Sequence, residues 1–165
     1  MKSWYFKGSK DLWEKVIEFW TGEHCHEELE ILPGLFFSST TEDGGPRFTT
    51  FDKLVSRNMN DWTVVDIPCT DADALIVLKH AKMQVNQNPK QYNMNGLMTN
   101  FLKPQPIVIE HPDSAFCSQA CIEAKQSIGL HMHMGALMDC PQESYIHLVK
   151  ELPIWGPARF KVNEG

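Results

Sequence analysis

The sequence predicts an α+β fold in which helices flank a mostly antiparallel sheet. Three features carry that expectation. Apolar residues recur at three- and four-residue spacing between positions 9 and 20, short β-rich runs divided by Gly and Pro turns occupy positions 27 to 68, and helix-entry patterns stand at Thr70, ahead of Cys117 and at Pro141.

The elements follow in order. Ser9 caps a helix whose apolar face is Leu12, Trp13, Val16, Ile17 and Trp20, and Gly22 stops it. Glu27 to Leu32 and Leu35 to Thr40 read as two strands joined at Pro33-Gly34. Glu42 to Pro46 is a turn, Arg47 to Phe51 a short strand, and Asp61 to Pro68, with Trp62, Val64, Val65 and Ile67, a further strand. Thr70 with Asp73 is a capping box that opens a helix to Met83. Tyr92 to Leu102 suggests a less regular helix, and Ile107 to Ile109 is an apolar run of open type. Pro112, Asp113 and Ser114 precede a helix from Phe116-Cys117 to Gly129. A last helix runs from Pro141 to Leu152, and the tail from Pro153 is expected to be irregular because it carries two prolines and two glycines. Residues 1–140 are expected to form the body of one domain, and 141–165 its C-terminal helix and tail.

Bulk properties narrow the function. With 165 residues, 42% hydrophobic and 22% charged, the chain has the composition of a soluble globular domain. Its net charge of −6 and lack of a Lys/Arg block argue against a nucleic-acid partner. No apolar run reaches membrane-spanning length, and Met1 to Lys7 is too short and interrupted for a signal peptide. The five cysteines form no disulfide framework, so reduced thiols in the cytoplasm are expected. Trp residues are expected in the core, with Trp4 the one best placed to serve a contact surface.

The chemistry centres on Cys117. A thiol in a first helical turn faces unpaired backbone N–H groups and the positive end of the helix dipole, and both favour the thiolate. A buried core cysteine is the alternative reading. A thiolate nucleophile needs a base, usually His. His26, Glu28 and Glu30 share one face of a strand that begins at position 26, so imidazole and carboxylate can orient one another. A solvated strand face is the plainer reading of Glu28, and Glu30 is expected to face solvent. A zinc site from His24, Cys25, His131 and His133 is a weaker possibility, because no Cys-x-x-Cys spacing occurs. Cys117 and Cys121, four apart on one helix face, fit either ligation or packing. Neither a Gly-x-Ser-x-Gly elbow nor a phosphate-binding Gly loop is present.

Taken together, these segments resemble the circularly permuted papain-like hydrolases of the NlpC/P60 superfamily, known from bacteria, phages and large DNA viruses. The resemblance spans about residues 6 to 130: the opening helix to Trp20, His26-Glu27-Glu28-Leu29 entering a strand, Leu35 to Ser39, the Trp62-led strand, the Tyr92 helix and Phe116-Cys117-Ser118-Gln119. Three positions depart from the family pattern: Cys25 stands where Ser or Tyr is expected, Gln119 where Glu is frequent, and Asn93 where Asp is frequent.

The resemblance implies a permuted papain-like fold with the nucleophile helix packed on the sheet. It implies Cys117 as nucleophile, His26 as base and Glu28 as third polar group, with Ser38 or Ser39 as other candidates to orient the imidazole. Ser38, Ser39, Tyr92 and Gln119 are candidate substrate contacts. The expected activity is a cofactor-free cysteine amidase or peptidase acting on a peptide, isopeptide or lipid amide, in the cytoplasm or, for a viral protein, in the host cytoplasm or virion. A noncatalytic viral or phage structural or binding protein on the same scaffold is the competing expectation.

Overall fold

The computed structural model describes residues 1–7, 23–54, 59–86, 117–132 and 140–160, with side chains as far as Trp155 in the last stretch. Their strands are β1 (Lys2–Phe6), β2 (His26–Leu32), β3 (Leu35–Thr40), β4 (Gly45–Thr50) and β5 (Trp62–Asp66). They form one sheet in the order β4-β3-β2-β1-β5, and each neighbouring pair is antiparallel. The helices are α1 (Phe51–Leu54), α2 (Asp71–Asn86), α3 (Cys117–Gln126) and α4 (Pro141–Phe160). The α+β class and the antiparallel sheet are therefore as the sequence predicts.

Local chemistry accounts for the joints. Gly34 takes φ 77° in the β2–β3 turn, a left-handed value that favours glycine, and its N–H donates to Glu30 Oε1 at 3.0 Å. At the start of α2 the capping box closes: the Thr70 hydroxyl donates to Asp73 Oδ2 at 2.9 Å, and the Asp73 N–H donates to Thr70 Oγ1 at 3.2 Å.

Alternation along the strands sorts the core into two clusters. Tyr5, Leu29, Ile31 and Phe37 meet Val77 and Ala81 of α2, Ala120, Cys121 and Ala124 of α3, and Leu148 of α4. Trp4, Phe6 and Phe36 project to the opposite face and join Cys25, Leu54 and Trp62.

Three expectations are corrected, and one strand is additional to those expected: Lys2–Phe6 is β1, paired with β2 on one side and β5 on the other. Trp4 is accordingly not a contact surface but is 8% exposed, edge-on to Phe36 at 5.5 Å and Trp62 at 6.1 Å. The strand expected from Arg47 begins at Gly45 and ends at Thr50, and Phe51 opens α1. The chain beyond Pro153 is helical as far as Phe160. Proline removes one helix hydrogen bond, but Leu152 and Trp155 pack against the main core, and packing outweighs local propensity.

The predicted helix over residues 9–20, the Tyr92 helix, the run Ile107–Ile109 and the capping residues Pro112, Asp113 and Ser114 lie outside the described residues. No described helix is long and apolar enough to cross a membrane.

Candidate active site

β2 sets out the first two groups. Its pairing with β1 puts His26 opposite Phe6 and Glu28 opposite Trp4, so both project to one face of the sheet. The His26 side chain is 13% exposed and that of Glu28 is 0% exposed. His26 Nε2 lies 2.8 Å from Glu28 Oε1. An ionised carboxylate can only accept, so Nε2 carries the proton and the tautomer is set.

Arg47, on β4, reaches the same carboxylate from the other side. Its Nη2 donates to Glu28 Oε1 at 2.6 Å and its Nη1 to Oε2 at 3.0 Å, a two-pronged pair. Its Nε donates to Asp43 Oδ2 at 2.9 Å. Burial disfavours the Glu28 carboxylate, but the bonds from His26 and Arg47 outweigh burial and hold it at about 2.

Cys117 supplies the third group. It is the first described residue of α3 and is 3% exposed. Burial works against a charged His26 imidazole, yet the Cys117 sulfur, acting as a charge and as a hydrogen-bond partner, and then Glu28 raise it to about 9. The site is therefore an alternating row of ionisable groups: Asp43, Arg47, Glu28, His26 and Cys117.

Two contacts along α3 fix the sulfur relative to β2. One turn after Cys117, the Cys121 thiol donates to the carbonyls of Phe37 at 3.5 Å and Glu27 at 3.7 Å. The paired residues of β2 and β3 begin at Leu29 and Phe37, so the Glu27 carbonyl lies past that ladder and also accepts the Ser38 hydroxyl at 2.6 Å. A further turn on, Lys125 Nζ donates to Glu27 Oε1 at 2.6 Å, and neither side chain is exposed. The hydroxyls of Ser3 (2.7 Å) and Ser144 (2.8 Å) complete the carboxylate's shell. Residues on both sides of Glu27 belong to the candidate site, so this network holds the His strand against the Cys helix.

The other candidates have these partners. The Ser38 hydroxyl donates to the Glu27 carbonyl at 2.6 Å. Ser39 is buried in β3. Gln119 Nε2 donates to Glu123 at 3.4 Å. Glu30 does not simply face solvent: it accepts from Trp4 Nε1 at 3.0 Å and from Gly34. Glu28 is not on a solvated face, being wholly buried. Cys121 packs and bonds between β2 and β3.

The described members of the zinc set, His24, Cys25 and His131, form no metal cluster. His24 Nδ1 meets Gln142 Oε1 at 2.7 Å and its Nε2 meets Thr63 Oγ1 at 3.2 Å, while burial lowers its pKa. The Cys25 thiol donates to the Phe6 carbonyl at 3.5 Å. His131 Nε2 lies 3.1 Å from the Ser144 carbonyl. Among the described residues no group of three or more His, Cys, Asp or Glu is placed to hold a metal. Tyr92 and His133 lie outside the described residues.

The sequence reading missed Arg47 and the Glu27–Lys125 pair. Lys125 left a signal. Cys117, Cys121 and Lys125 repeat at four-residue spacing, so an inward-facing Cys helix also carries an ammonium inward, and a buried ammonium demands a buried acid. Arg47 left less, since its role depends on strand order. The chain matches no protein-family model, no curated protein and no solved structure.

Proposed function

We propose that the chain is a cysteine hydrolase of the amidase or peptidase type, on a circularly permuted papain-like scaffold, with Cys117 as nucleophile, His26 as base and Glu28 as the group that orients His26. The observation that carries this reading is the coupling of Cys117 to an imidazole whose other neighbour is an ionised carboxylate. With Nε2 engaged by Glu28, Nδ1 is the nitrogen left for the thiol.

The chemistry follows from that pairing. His26 takes the thiol proton, and the imidazolium and thiolate stabilise one another. The thiolate attacks the substrate carbonyl carbon, and backbone N–H groups in the first turn of α3 receive the developing oxyanion. The imidazolium returns the proton to the leaving amine as the carbon–nitrogen bond breaks. Water, deprotonated by His26, then cleaves the thioester, releasing the acid and the free thiol. Peptides, isopeptides and lipid amides are the substrate classes that suit this reaction. All five cysteines are free, which suits work in the reducing cytoplasm.

Incubation with a p-nitrophenyl acyl ester, followed by mass spectrometry of the quenched protein, tests the reading. The expected result is one acyl group on Cys117, release of nitrophenol, and neither in Cys117→Ala. Acylation elsewhere, or none in the native protein, speaks for a noncatalytic protein.

A further inference from the structure

One carboxylate oxygen in this site is shared by two cations. Glu28 Oε1 lies 2.8 Å from His26 Nε2 and accepts Arg47 Nη2 at 2.6 Å, while Arg47 Nη1 occupies Oε2 at 3.0 Å. We infer that Arg47 is a positioning residue of the site, which turns the Glu28 carboxylate toward His26 and withholds part of its charge from the imidazole. The inference rests on the hydrolase reading of Cys117 and His26.

The geometry argues for more than a fold-stabilising ion pair. A pair that only tied β4 to β2 needs no third member, yet the oxygen nearer His26 is the one at the shorter distance from Arg47. A His–carboxylate pair in a buried setting has an electrostatic hazard. A full negative charge at 2.8 Å over-stabilises the imidazolium, which then yields its proton reluctantly to a leaving amine. A guanidinium on the same oxygen reduces that attraction without protonating the carboxylate. Lys has no planar fork and would hold one oxygen at a time.

Among the described residues, the other charges near the group are these. Asp43, in the exposed turn before β4, faces Arg47. From α3, Cys117 faces His26, and Cys121 lies close to Glu28 but is held as a thiol by burial. Glu27 belongs to the opposite face of β2 and is engaged by Lys125. On β1, Trp4 stands opposite Glu28 and gives its N–H to Glu30.

The test is NMR titration of His26 in the native protein, Arg47→Met and Arg47→Lys, assigned with His26→Gln, beside kcat and KM for an acyl p-nitroanilide, whose leaving amine needs the proton. In Arg47→Met the His26 midpoint is expected to rise by about one pH unit, because a nearby positive charge is gone. Its kcat should fall roughly tenfold with little change in KM, as for a group that acts in the transition state. Arg47→Lys should return the midpoint to near the native value and recover kcat only in part. Near-UV circular dichroism checks that each variant is folded, and Arg47→Lys carries the test alone if Arg47→Met is not. An unmoved midpoint in folded Arg47→Met, or Arg47→Lys with native kcat, overturns the role of Arg47. If Cys117→Ala still abolishes turnover, the hydrolase reading survives that result. Turnover that persists in Cys117→Ala overturns both.

Discussion

Replacing His26 with Gln lowers turnover by about 10³-fold and removes the lead that Cys117 holds over the other thiols in alkylation at mildly acidic pH. Glutamine keeps much of the imidazole's bulk but cannot carry the proton or the charge, so the loss reports chemistry rather than packing. In the native protein iodoacetamide at pH 6 should modify Cys117 at least about ten times faster than Cys69. Accessibility alone predicts the reverse, because Cys69 is the more exposed thiol and Cys117 is 3% exposed. Cys121 and Cys140 are poor competitors: burial pushes both up, Cys140 to about 12. In His26→Gln the order should follow exposure, with Cys69 first. A Cys117 lead that survives the substitution would remove His26 from the site.

Lys125→Met should destabilise the protein by about 3–5 kcal/mol, the usual cost of stranding one charge of a buried pair. Glu27 would keep only the hydroxyls of Ser3 and Ser144 in a site with no exposed surface. At about 2–4 °C per kcal/mol for a chain of this size, the melting temperature should drop by roughly 10 °C. The double variant Glu27→Leu with Lys125→Met removes both charges and should recover most of that loss, since apolar replacement of a buried pair is often neutral. Calorimetry of the two single variants and the double closes the cycle. A single variant within about 0.5 kcal/mol of native would show that the pair is not the clamp between α3 and β2.

The sequence was most readable where chemistry is local. Pro33-Gly34 marks its turn, Thr70 and Asp73 close the capping box they spell, and the two-residue period puts His26 beside Glu28. It was least readable where an outcome depends on strand order. Trp4 lies in a short polar-flanked segment that no local pattern marks as a strand, and only pairing with both β2 and β5 buries it. Arg47 reaches Glu28 because β3 alone separates their strands, an adjacency that no spacing in the chain encodes. Pro153 and Gly156 argued for an irregular tail, yet Leu152 and Trp155 pack on the core and α4 continues. Nothing local marks Glu27, because its partner Lys125 stands 98 positions later in the chain.

The central claim is that the sulfur of Cys117 and the imidazole of His26 behave as one unit. NMR titration of His26 in the native protein and in Cys117→Ala measures this without any substrate. The native imidazole should titrate near 9, because the sulfur and Glu28 outweigh burial. Without the sulfur the midpoint should fall, as burial is then opposed by Glu28 alone. A His26 that titrates at the same pH with and without Cys117 contradicts the account.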